Sequence, residues 1–302
     1  MIPKPITDQA LIEHLDSLEP DGITRFTILN ARLRGFLAHG SRMVNEMRSS
    51  FGLGILETLI LGQAYLAAGL YGATLKGKDR CALRYEGSGP ALGFSVQADA
   101  EGSVRGYLLV DSIPLEAPLE SFDTAPFLGP GTMSVTRIAE KGGHFTGTVG
   151  GLSGRVGEDL SRYFLESEQT RTLVSLGLRF NREGMAGGAA ALLLQLMPGA
   201  GDDDLEELEE RVREIDGPWF SLSEGGGREA WIKEAFGPFG PEVMGSQALR
   251  FHCPCGREGF LSYLKSLPDA EKREIRAQGR WPLELLCHNC ASSYLFGEAD
   301  LG

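Results

Sequence analysis

Cysteine is scarce in this chain, five residues in 302, and four of the five fall between His252 and Cys290. Positive charge is also short: 29 Lys and Arg stand against 41 Asp and Glu, a formal net charge of −12. A surface of that sign has no general attraction for nucleic acid or anionic lipid, so neither is an expected partner. The opening "MIPKPITDQALIEHLDSLEP" lacks a basic segment followed by a continuous apolar one, so no export signal is read and a cytoplasmic location is expected. Thiols stay reduced there, and clustered cysteines then point to metal ligands or redox centres rather than structural disulfides. Catalytic signatures are missing as well. No G-x-S-x-G elbow, G-x-G-x-x-G loop or P-loop Lys-Ser/Thr occurs, and His14, His39 and His144 are scattered among unlike elements. No enzyme is expected.

What is present reads as α+β. "ITDQALIEHLDSL" puts Leu11, Ile12, Leu15 and Leu18 on one side of a short helix, and "ITRFTILNARLRGFLAHG" alternates as a strand. The nearly apolar stretch from Phe51 to Gly77 is long enough to cross a membrane. Glu57 and Gln63 interrupt it and no basic flank orients it, so a core helix wrapped by a sheet is expected instead. "CALRYEG", "ALGFSVQADAEGSVRGYLLV" and "TMSVTRIAEKGGHFTGTVGGL" read as strands, the last two folded into hairpins at "DAEG" and "EKGG". "GTVGGLSGRVGEDL" reads as a hairpin end and helix entry, and the helix that follows places Leu160, Phe164 and Leu165 near one face. "RTLVSLGLRF" alternates again. Beyond Asn181 the composition shifts to small residues, an apolar run "AAALLLQLM", and an acidic helix with Leu205, Leu208, Val212 and Ile215 in a narrow stripe.

Cys253, Cys255, Cys287 and Cys290 form a C-x-C and a C-x-x-C separated by a helical stretch, and four thiolates suit one tetrahedral zinc ion. His252 and His288 adjoin the set, which is complete without them. Cys81, in "RCALRYEG", reads as a small buried hydrophobe. A module of about fifty residues has a marginal core, so a metal staple is in keeping with its size. Zinc also keeps cysteines as thiolates, the form that oxidants attack. A purely structural metal in a zinc-knuckle adaptor or nucleic-acid binder is the competing reading; basic residues around the knuckles, such as Arg250, Arg257 and Lys265, are balanced there by acids.

The stretches "ALRYEGSGPALGFSVQADAEGSVRGY", "FTGTVGGLSGRVGEDLSRYFLESEQT", "GGAAALLLQLMPGA", "LRFHCPCGREGFLSYLKSLPDAEKREI" and "LLCHNCASSYLF" arrive in one order. In that order the chain resembles the redox-regulated bacterial chaperones, zinc-containing heat-shock proteins of about thirty-three kilodaltons. The resemblance implies an N-terminal α+β core (residues 1–183), a metastable linker (184–249) and a zinc-binding redox-switch domain (250–302). It implies zinc on the four cysteines when reduced. On oxidation it implies disulfides Cys253–Cys255 and Cys287–Cys290, zinc loss, and an ATP-independent holdase for unfolding client proteins, with a homodimer on activation. Two departures from the family pattern stand out: Pro254 inside the first knuckle, where it narrows the C-x-C conformations, and the basic, bulky "IRAQGRWPLELL" before the second. The extra residues at the N-terminal end of the core have no counterpart in the pattern.

Overall fold

The computed structural model describes residues 6–114, 121–215 and 217–301. Residues 1–5 and 302, at the outer limits of the expected domains, and residue 216, inside the expected linker, lie outside the described set. The chain opens with α1 (Gln9–Ser17), β1 (Gly22–Ile28), β2 (Leu33–His39), α2 (Ser41–Phe51) and the long α3 (Ile55–Ala73). Next come β3 (Arg80–Gly87), β4 (Gly93–Asp99), β5 (Ser103–Leu108), the short α4 (Ala125–Leu128), β6 (Gly131–Ile138) and β7 (His144–Leu152). Then follow α5 (Val156–Glu168), β8 (Thr172–Phe180), β9 (Ala186–Leu196), α6 (Asp202–Glu214), α7 (Pro218–Ser223) and α8 (Arg228–Phe236). The C-terminal part holds β10 (Glu242–Ala248), β11 (Arg250–Phe251), α9 (Arg257–Ser266), α10 (Asp269–Gln278), β12 (Leu283–Leu286) and β13 (Ser293–Phe296).

Two sheets enclose α3. One has the order β10-β1-β2-β9-β8; the other runs β11-β5-β4-β3-β6-β7. The helix touches β2, β8 and β9 on one side and β3, β4 and β5 on the other, which is why it is apolar all round. It is long and apolar enough to span a bilayer, yet 83% of its apolar window is buried inside the protein. It is therefore a core helix, as its interrupting Glu57 suggests; that carboxylate accepts the Ile113 N–H at 2.9 Å.

Three sequence expectations need correction. "ITRFTILNARLRGFLAHG" is two strands and not one: Leu29, Asn30 and Ala31 all take positive φ, and the chain reverses so that Ile28 pairs with Leu33. No glycine or proline marks that turn. Leu165 is 51% exposed while Leu160 and Phe164 are buried, so the apolar face of α5 is narrower than expected. Most consequential is the run "AAALLLQLM". It falls within the expected linker (184–249), but it forms β9, hydrogen-bonded between β2 and β8. Ala189, Ala191 and Leu193 face the α3 core, while Leu192 and Leu194 face a second cluster with Phe26, Leu205, Leu208 and Trp231. A central strand covered on both faces needs apolar residues at every position, and this removes the alternation that would have identified it.

Candidate metal centre

The first knuckle leaves directly from the larger sheet. β11 pairs in parallel with β5, Arg250 opposite Ser103 and Phe251 opposite Val104, and the His252 N–H extends the ladder to the Val104 carbonyl at 3.0 Å. Phe251 is buried with its ring 6.0 Å from that of Tyr65. The chain then turns through Cys253, Pro254 and Cys255, and α9 begins after Gly256. The second knuckle is the turn of the β12–β13 hairpin. There the Cys287 N–H donates to Ser292 O at 2.8 Å, and the Ala291 N–H donates back to Cys287 O at 2.7 Å with Ala291 at φ 54°. The outlying part of this module has a small core of its own around Leu264, Phe296 and Leu301.

All four cysteines are free thiols whose Sγ atoms lie within 4.8 Å of one another. Cys253 and Cys287 are 3.8 Å apart, Cys255 and Cys290 3.4 Å. Tetrahedral Zn–S bonds of about 2.3 Å place sulfurs about 3.8 Å apart, so the donor set fits a zinc ion in number, softness and size. The group is made of sulfur alone. His252 and His288 are not in it; the His288 ring packs edge-on against Tyr107 at 5.8 Å. The thiols are unequal before any metal arrives. The neighbouring Cys290 thiol, with Arg105 assisting, brings the Cys253 thiol down to about 4. The proximity of Cys253, and burial after it, push Cys290 up, and burial lifts Cys287 to about 11.

The remaining candidates are dispersed. Cys81 is buried in the sheet core, its thiol pushed up to about 12 by desolvation. His14 contacts Gly187 O at 2.8 Å, His39 is buried against Ser41 Oγ at 2.8 Å, and His144 is exposed at the start of β7. No triad forms from them.

Several residues of the centre escaped the sequence reading. Arg105 Nη1 donates to Cys253 Sγ at 3.5 Å, Ser50 Oγ donates to Cys290 O at 2.6 Å, and the Gly106 N–H donates to Asn289 O at 3.2 Å. Gly106 has φ 155°, where an added Cβ would lie 2.3 Å from Ser95 O, and its own carbonyl accepts the Tyr65 hydroxyl at 2.8 Å. Within the module, Tyr294 Oη lies 3.2 Å from Cys255 Sγ and Ser292 Oγ 3.0 Å from Cys290 Sγ. Both knuckles therefore sit in the seam between the N-terminal sheets and the C-terminal module. The buried cysteines belong to the same apolar cluster as α3.

Comparison with known proteins gives a consistent picture. The family model described as "Hsp33 protein" matches residues 21–297. The "33 kDa chaperonin" of Bacillus subtilis is 29% identical over 93% of this chain and 97% of its own length. Its counterpart in Desulforamulus reducens is 32% identical over 93% and 96%. The crystal structure of the 33 kDa chaperonin (heat shock protein 33 homologue) from Thermotoga maritima superposes with a TM-score of 0.83 at 27% identity, covering 94% of this chain and 97% of that one.

Proposed function

The chain belongs to the Hsp33 family of chaperones, and on that premise we propose that it is a redox-regulated, ATP-independent holdase of the cytoplasm. It is inactive while reduced and zinc-bound, and it has no catalytic activity of its own. The observation that carries this reading is the position of the four-sulfur cluster in the seam, where the elements that bind the metal are also the elements that dock the module. Bound zinc supplies the charge that holds four thiolates together. Cys253, Cys255, Cys287 and Cys290 are its proposed ligands, one ion per chain.

Oxidation removes those donors. Each pair of thiolates gives two electrons to one peroxide, whose O–O bond breaks to leave two hydroxides while an S–S bond forms. The proposed pairs, taken from the family resemblance, are Cys253–Cys255 and Cys287–Cys290. A structural zinc contributes on the order of 10 kcal/mol to the folding of a small module, more than the core around Leu264, Phe296 and Leu301 can replace. Residues 250–302 then unfold, and the neighbouring linker region within 184–249 opens to expose apolar surface for unfolding clients, with a homodimer as the activated form. The test is direct. Peroxide with mild heat is expected to release zinc and to switch on suppression of aggregation of a thermally unfolding client, measured by light scattering. Strong protection by the reduced, zinc-loaded protein, or zinc release without any protection, would overturn the reading.

A further inference from the structure

Arg105 lies on β5, opposite Gln97 on β4. Gln97 Oε1 accepts from both Nε at 3.1 Å and Nη2 at 2.8 Å, which fixes the plane of the guanidinium and leaves Nη1 for Cys253 Sγ at 3.5 Å. Of the other contacts across the seam, Ser50 to Cys290 O, Gly106 to Asn289 O, His252 to Val104 O and Arg250 to Gly102 O are neutral hydrogen bonds to backbone, and the Arg250 guanidinium donates to Ser103 Oγ at 3.2 Å. Their strength does not depend on the charge of a sulfur. Tyr294 and Ser292 also touch sulfur, but they belong to the module and travel with it.

We propose that Arg105 is a positioning residue through which the N-terminal sheets register the charge on the thiolate centre, holding the first knuckle against β5 while Cys253 is a thiolate and releasing it when that charge is lost. The inference rests on the redox reading above and adds to it a specific contact. Hydrogen bonds to an ionised partner are roughly twice as strong as neutral ones. When Cys253 gives up its share of the electron pair that forms a disulfide, its sulfur becomes neutral and the charge-assisted bond falls to an ordinary weak one. The guanidinium has somewhere to go: an open cleft of about 300 Å³ beside it is lined by Asp99 and Glu101 as well as by Arg250 and His252. While the bond lasts, it also draws electron density from the sulfur and so slows attack on an oxidant.

The reduced, zinc-loaded full chain carries the test, as wild type and as Arg105→Gln, Arg105→Lys and Gln97→Ala. Amide exchange is read at Arg250, His252 and Gly106, whose N–H groups cross the seam. Arg105→Gln is expected to raise exchange there roughly three- to tenfold with zinc still bound, and zinc release at fixed peroxide by a similar factor. Arg105→Lys, which keeps the charge without the fork, should lie between, and Gln97→Ala should follow in the same direction. Added potassium chloride should raise exchange at these amides in the wild type but not in Arg105→Gln, a response that a purely steric role would not give. Unchanged exchange in all three variants, or equal salt sensitivity with and without the guanidinium, overturns the proposal. A wild-type protein that keeps its zinc under peroxide would instead defeat the redox reading, while the exchange data on the reduced protein would still judge Arg105.

Discussion

Cys81 and Cys287 are both buried thiols, and the surroundings of each decide what it does. Cys81 lies outside the sulfur group: it sits in β3 between the Ala98 and Arg137 positions of the flanking strands, and desolvation holds it protonated to about 12. Cys287 sits within 4.8 Å of three other sulfurs at the head of a hairpin turn. Cys81→Ser is therefore expected to leave zinc content at one ion per chain, and Cys287→Ser to lower it sharply, measured by metal analysis of the reduced proteins. Equal loss in the two would refute the ligand assignment. Iodoacetamide at pH 8 should likewise leave Cys81 unmodified in the native chain, since a thiol with that proton affinity offers almost no thiolate there. This division was legible in the sequence because both knuckles are local. Arg105 and Ser50 were not, because their partners lie 148 and 240 residues away and nothing in "SVRGY" or "MRSS" marks a residue that will meet sulfur.

Among the elements, β9 and α6 divide a region that composition had treated as one. β9 is locked between two strands, whereas α6 holds to the sheet through Leu205 and Leu208, with Val212 and Ile215 at the margin. That is the stripe its spacing predicted. Its three leading aspartates favour the N-terminus of the helix dipole, and its surface pairs, such as Arg32 with Asp204 at 2.8 Å, add little. Leu208 is fully buried, and cutting back a buried leucine costs roughly 2–5 kcal/mol before the serine hydroxyl is counted. Leu208→Ser is thus expected to undock α6 and to permit client binding under reducing conditions with zinc retained, seen as suppressed light scattering. A reduced variant as inactive as wild type would show that α6 is not the cover. Hydrogen exchange on the oxidised protein should rise from about Asp202 onward while Ala189–Leu194 stays protected. The strand was hidden in the sequence because burial on both faces makes it a continuous apolar run, indistinguishable by period from a sealed linker. The β1–β2 turn was hidden because Asn30 is its one usual turn residue, and Leu29 and Ala31 on either side adopt left-handed φ as well.

At the scale of the whole molecule, stability is distributed unevenly. The N-terminal core is closed by long strand ladders on both sides of α3, and none of the pairings among β1, β2, β9 and β8, or among β3 to β7, requires a residue beyond Leu196. The C-terminal module adds a two-residue strand and a sulfur cluster to one sheet, and β10 adds a single edge to the other. On the proposed reading, loss of the metal is therefore expected to remove an attachment and leave the body standing. The surface expected to open is the outer face of the five-stranded sheet, with Phe26, Ile28, Leu33, Leu37, Leu192 and Leu194, which α6 and α8 cover. It would be exposed beside a helix bearing eight acids and two arginines, so that an apolar binding surface and solubilising charge appear together. Brief trypsin digestion follows this order of stability, because a protease cuts what opens most readily. Oxidised, zinc-free protein is expected to be cut after Arg211, Arg213, Arg228 or Lys233 and within residues 250–302. Arg84, Arg105 and Arg137, all on ladder strands, should resist. The reduced zinc-loaded chain should be cut far more slowly at every one of these sites. Mass spectrometry of the fragments settles the point: early cleavage at Arg84 or Arg137 after oxidation would mean that the core falls with the module and that no platform remains to hold a client.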